Sequence, residues 1–183
     1  TYDMGLIGNC AFLGLIGTDT AVRWLCWPRF DSSFVFGSLL DEDKGGEYSI
    51  RPAAGITGPG RQYYQPNTNV LCTEIETEDG RYRVTDFAPR FPQYERYYKP
   101  LMFIRKVEPL SGAPRIRVAC RPVGKYGELA LTPRRSSNHI AFLGLEEEIR
   151  LTTNIPLTYI FDEEDFVLNE TKYLVLTYGA PLE

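Results

Sequence analysis

The chain has 183 residues, 43% apolar and 24% charged, with 20 basic against 24 acidic side chains and a formal charge of −4. A globule of that length buries roughly 70% of its unfolded surface, enough for one core without disulfides or metals. The balance excludes a disordered chain and a partner gripped through its phosphate backbone, which would need a basic face.

Taken from the N-terminus, the first distinctive stretch is Cys26-Trp27-Pro28-Arg29-Phe30-Asp31-Ser32-Ser33-Phe34, directly after an apolar run. Pro28 fixes its own φ and biases the residues before it towards extended backbone, which predicts a strand end. Trp27, Arg29, Phe30, Asp31 and Ser32 then form a loop that offers a planar donor fork, an acceptor and two rings. Such a set suits sugar hydroxyls or a neighbouring domain. The alternative is structural: Arg29 and Asp31 pair with each other, while Trp24 and Phe30 fill core. The run Phe34–Leu40 is compatible with one short helical turn.

Further on, Leu71–Thr77 and Tyr82–Phe87 flank Glu78-Asp79-Gly80, a tight-hairpin signal. Asp86 is expected to cap a turn or pair with Arg90. The stretch Arg90 to Pro100 follows, with Phe91, Tyr94, Tyr97 and Tyr98 among two prolines and alternating charges. Phenol rings bury apolar area while keeping a polar tip, so this loop is read as an interface, as packing on its own sheet, or as a sugar platform. Tyr63 and Tyr64 extend the same aromatic character.

Arg115–Val123 alternates, with Ile116, Val118 and Cys120 on one face and Arg115, Arg117 and Arg121 on the other. Phe166–Leu168 and Tyr173–Tyr178 are the last strand-like runs. Breaks fall at Gly45-Gly46, Gly58-Pro59-Gly60, Pro109 to Gly112, Ser136 to Asn138 and Asp162 to Asp165. Many short strands with no interleaved helices predict an all-β fold, an antiparallel two-sheet β-sandwich with at most short helical turns. One domain over 1–181 is expected, with 182–183 as an expression remnant.

The residues show no nucleophile elbow, phosphate loop or metal-ligand spacing, so no catalytic residue, cofactor or metal is assigned. The acidic runs Glu146-Glu147-Glu148 and Asp162-Glu163-Glu164-Asp165 read as solvated turns, and His139 as a surface or satisfied residue. Cys10, Cys26, Cys72 and Cys120 lie in or beside apolar runs and read as small buried thiols, which favours a cytoplasmic location. No apolar stretch approaches the ~20 residues that cross a membrane.

An ordered set of motifs carries a resemblance: Leu6-Ile7-Gly8-Asn9-Cys10, Leu15-Ile16, Trp24 to Ser32, Leu39-Leu40-Asp41 with Gly45-Gly46, Asn67 to Leu71, Thr85 to Pro89, Ile104 to Glu108 and Lys125-Tyr126-Gly127. Together they resemble the N-terminal domain of glycoside hydrolase family 15, which holds glucoamylase-like and trehalase-like enzymes. Thr18-Asp19-Thr20 departs from the family pattern, where an Asp-Gly turn is usual. The resemblance implies an extended supersandwich preceding a helical barrel, and a parent that hydrolyses α-glucosidic bonds with inversion through two barrel glutamates. It implies a non-catalytic chain that packs on that C-terminal catalytic domain of the same polypeptide, with an α-glucan or trehalose at the boundary; the dense polar and aromatic character of Arg29 to Ser32 adds the expectation that this loop stands at the rim of the sugar pocket. An independent carbohydrate-binding module for α-glucans is the alternative, and a hydrolase complete in this chain a third. Exposed interdomain surface would let the fragment self-associate.

Overall fold

Alternation along the longer strands sets the architecture. The computed structural model describes residues 3–58 and 60–179; the expected boundary at 181 and the remnant at 182–183 lie outside them. In chain order the strands are β1 (Met4–Gly8), β2 (Leu13–Gly17), β3 (Val22–Cys26), β4 (Phe34–Phe36), β5 (Glu47–Pro52), β6 (Arg61–Tyr64), β7 (Leu71–Thr77), β8 (Gly80–Phe87), β9 (Phe91–Gln93) and β10 (Arg96–Tyr98). There follow β11 (Met102–Gly112), β12 (Arg115–Arg121), β13 (Val123–Gly124), β14 (Leu129–Ala130), β15 (Thr132–Arg135), β16 (His139–Leu143), β17 (Ile149–Thr153), the one-turn helix α1 (Leu157–Phe161), β18 (Phe166–Val167) and β19 (Lys172–Tyr178).

An eight-stranded antiparallel sheet runs β15-β16-β17-β19-β11-β8-β7-β6. Against it lie a four-stranded sheet, β1 to β4, and a three-stranded one, β18-β12-β5. The fold is the expected all-β sandwich, and one apolar cluster runs through it from Ile7 and Phe12 to Leu174 and Leu176. Close approach of the layers has a local cause at Gly5: a Cβ there would collide with the Leu71 side chain of β7.

Period-2 patterns resolve as expected where one face is buried. On β12, Ile116, Val118 and Cys120 point inward, while Arg117 and Arg121 reach solvent and pair with Asp165, Glu163 and Glu47. The Glu78-Asp79-Gly80 signal closes the β7–β8 hairpin, Thr77 opposite Gly80.

The structure also corrects several expectations. Phe34–Leu40 is not a helical turn: Phe34, Val35 and Phe36 are buried strand residues paired to β3, and the chain turns after them. Cys10 is exposed at the β1–β2 turn, whereas Cys26, Cys72 and Cys120 are buried. In the β2–β3 turn Thr20 has a φ of +70°, the left-handed region a glycine would fill without strain. It is held there by its hydroxyl, which donates to the Ile50 carbonyl at 2.8 Å and accepts from the Ile50 amide at 3.0 Å.

Asp86 does not pair with Arg90. On β8, Tyr82, Val84 and Asp86 share the inward face, and register places Asp86 opposite Arg105 of β11. Arg105 Nε donates to Asp86 Oδ1 at 2.8 Å, and both side chains are 0% exposed. The guanidinium also donates to the carbonyls of Thr20 at 2.6 Å and Tyr48 at 3.3 Å, and lies over the rings of Tyr48 and Phe103. Five-donor geometry lets one arginine satisfy three segments of backbone and side chain at once. The pair is therefore a tie between the two layers.

Candidate functional site

Both aromatic loops singled out in the sequence lie at one end of the sandwich, joined there by the β1–β2 turn. Asn9, buried in that turn, donates through Nδ2 to the carbonyls of Pro89 (3.0 Å) and Pro100 (2.8 Å), and its Oδ1 accepts from the Ala11 amide at 3.0 Å. One amide thus pins both ends of the excursion between β8 and β11. The neighbouring Cys10 accepts from Arg90 Nη1 at 3.3 Å, and Phe12 meets the Trp27 ring edge-on at 5.3 Å between centroids.

Trp27 itself is 2% exposed, closed in by Phe12 and by Tyr178 at the end of β19. The structure places it in the core beneath the loop, although its indole N–H finds no hydrogen-bond partner among the described residues. The residues after it form a closed turn: the Arg29 amide donates to the Ser32 hydroxyl, and the Ser32 amide returns to the Arg29 carbonyl, both at 3.1 Å. Arg29 Nη2 donates to Asp31 Oδ2 at 2.8 Å, with side chains 75% and 70% exposed. The self-pairing weighed from the sequence is what forms. Phe30, expected in the core, is 54% exposed at the crest of this turn.

The second loop is a two-stranded ribbon, β9 with β10, joined by Tyr94-Glu95. Phe91 and Tyr98 stack across it at 5.9 Å with planes 8° apart, and the Arg90 guanidinium lies 5.0 Å over the Tyr97 ring. These contacts brace the ribbon internally and leave its outer surfaces bare, Tyr94 being 84% exposed. Tyr94 and Glu95 have φ of +48° and +62°. Two consecutive left-handed residues are the signature of a type I′ turn, normally Asn-Gly, so this pair holds strain of about 1–2 kcal/mol per residue.

Sequence reasoning passed over two residues here. Tyr126, in the Lys125-Tyr126-Gly127 motif, is exposed beside the Arg29 loop, its amide donating to Ser33 Oγ at 2.8 Å and its ring edge-on to Phe34. The motif was visible, but nothing in it said which loop it would join. Asn9 was seen only as part of an ordered motif, since its two acceptors lie 80 and 91 residues away.

The chemistry available at this end is stacking and hydrogen bonding. Asp31 is engaged by Arg29. Among the described residues, no group of three or more His, Cys, Asp and Glu could hold a metal ion. A groove of about 480 Å³ lies away from this end between the β2–β3 turn and the segment after β4, lined by Asp3, Asp19 and Glu42, and its Asp19 is tied to Arg23 at 2.6 Å. No helix among the described residues is long and apolar enough to cross a membrane.

Comparison with known proteins agrees with this picture. The family described as "Trehalase-like, N-terminal" matches residues 3–163. The chain is 41% identical over 158 residues to trehalase 1 of Sulfolobus acidocaldarius, covering 84% of this chain and 25% of that protein. It is 29% identical over 188 residues to a trehalase of Thermoplasma volcanium, covering 96% and 29%, and 29% identical over 143 residues to one of Mycolicibacterium smegmatis, covering 71% and 21%. The chain therefore spans less than a third of the relatives it matches. No solved structure matches it significantly. The chain belongs to the trehalase-like N-terminal domain family.

Proposed function

We propose that this chain is the non-catalytic N-terminal domain of an α-glucoside hydrolase of glycoside hydrolase family 15, acting on trehalose or a related glucoside. It packs against and stabilises a helical catalytic domain carried by the rest of the polypeptide. The observation that supports this most is the gathering of exposed rings, Phe30, Phe91, Tyr94, Tyr97 and Tyr98, on two loops pinned at one end by buried groups. Exposed aromatic clusters of that kind mark surfaces made to be covered. The relatives' names supply the substrate class, and four unpaired thiols fit a reducing cytoplasm.

In this reading Arg29, Phe30, Asp31 and Ser32 stand at the rim of the sugar pocket, on a turn closed by its own hydrogen bonds. The test compares this chain, the full-length polypeptide and a version lacking residues 3–179, each with trehalose and a chromogenic α-glucoside. Turnover is expected from the full-length protein only. Turnover by this chain alone, or undiminished turnover without it, would overturn the reading. Within the full-length protein, Arg29→Ala with Asp31→Ala is expected to raise KM, and unchanged turnover and stability would remove the rim role.

An independent carbohydrate-binding module remains the second reading, favoured by the bare Tyr97 face and the prominent Tyr94. Calorimetric titration of this chain with maltooligosaccharides decides it. Binding that Tyr97→Ala weakens would support it, and a flat titration would exclude it.

A further inference from the structure

Building on the reading that the remainder of the polypeptide covers this end, we propose that the β9–β10 ribbon is a preformed arm that inserts into an acidic cleft of that remainder, with Tyr94 as its anchor. Three independent features of the arm converge on this.

The first is its isolation. A two-stranded ribbon is marginal by itself, and among the described residues this one has no neighbouring strand in any sheet. It is nevertheless built as a unit, through the Phe91–Tyr98 stack, the Arg90–Tyr97 contact and the Asn9 clasp at its base. Internal bracing of that sort lowers the ordering cost of docking.

The second is its turn. Asn-Gly at positions 94 and 95 would adopt the same left-handed geometry without strain, yet tyrosine and glutamate occupy them. The strain is tolerated while Tyr94 is held at the tip, where it is 84% exposed. Strain retained at an exposed tip is evidence of use.

The third is charge. Between Arg90 and Pro100 the arm carries Arg90, Arg96 and Lys99 against Glu95 alone, within a chain whose formal charge is −4. Tyrosine and arginine on a basic projection fit a desolvated cleft lined by carboxylates. The matched relatives supply the occupant, because the region they share with this chain is under a third of their length. The end of β19 lies at the arm's base, the Tyr178 amide donating to the Leu101 carbonyl at 3.1 Å.

Limited trypsin digestion with mass-spectrometric readout at Arg96 tests the proposal in the 183-residue chain and in the full-length polypeptide. Cleavage after Arg96 is expected to be about tenfold slower in the full-length protein, as docking suppresses local opening. Tyr94→Asn with Glu95→Gly keeps the hairpin and raises the thermal midpoint of the 183-residue chain, yet abolishes that protection in the full-length protein. Lys99→Glu accelerates cleavage there, most at low ionic strength. Equal cleavage in both wild-type forms, or protection that survives the Tyr94 and Glu95 replacements, would overturn the arm. Protection that grows with the concentration of the 183-residue chain would name a second copy as the occupant and overturn it equally. If the full-length protein depends on this domain for turnover while its arm is cut freely, only the arm fails; if the domain is dispensable, the functional reading fails with it.

Discussion

Arg105 reaches Asp86 at 2.8 Å and Arg29 reaches Asp31 at the same distance, yet the first pair is wholly buried and the second almost wholly in solvent. Separation alone says nothing about what an ion pair does. Asp86 and Arg105 are shut off from bulk solvent, which therefore cannot take over when a partner is lost, and the guanidinium also serves the carbonyls of Thr20 and Tyr48. Around Arg29 and Asp31 water replaces either partner at once, so the pair shapes a turn and leaves its fork available to a neighbour. The same chemistry makes a tie in one place and a presentation surface in the other.

The largest test of that contrast is Arg105→Ala. It strands a buried carboxylate and two backbone carbonyls, and is expected to cost about 3–5 kcal/mol in urea denaturation of this chain, or to prevent folding. A loss below about 1 kcal/mol would show that the interior is wetter than described. Glu108 stands between the extremes, its side chain 18% exposed, with Arg83 donating at 2.8 Å and the Lys106 ammonium at 2.6 Å. Burial alone would raise its carboxyl, but the hydrogen bonds and charges of Lys106 and Arg83 outweigh that and hold it below its ordinary value of 4.5. A depressed carboxyl stabilises the fold above its unfolded value, and that contribution fades as pH falls through the folded one. Glu108→Gln is thus expected to cost about 1 kcal/mol at pH 7 and less as the pH drops below about 4.5. A pH-independent loss would assign the effect to packing. Smallest is the Arg29 and Asp31 double-mutant cycle, whose coupling in this chain is expected to be under about 0.5 kcal/mol. A larger coupling would mean that the turn is held by the pair rather than by Ser32.

What the sequence made legible follows the same division between local and distant causes. Alternation from Arg115 to Val123 and the turn at Glu78-Asp79-Gly80 are local rules, and both resolve as read. For Asp86 the sequence offers only local partners, a turn to cap or Arg90 four residues on, because the register that sets it against Arg105 is decided only after the chain has left for the arm and returned. Trp27, read as a loop ring, lies in the core, and of the two places offered for Phe30 the structure takes the exposed one, for a similar reason. Phe12 and Tyr178 enclose the indole from far along the chain, while the turn at Arg29 to Ser32 lifts the phenyl out. Exposure of Tyr94 and Tyr97 was suggested by composition, but not the ribbon that presents them, because a Tyr-Glu turn carries no I′ signal.

The Asn9 clasp has a consequence for how such a protein can change. Because Pro89 and Pro100 are both fastened to one amide, the pairing of Phe87 with Ile104 beyond them is insulated from whatever lies between. Changes of length there are expected to leave the strand register in place. That makes the segment an exchangeable cassette, through which one sandwich could be refitted to differently shaped hosts.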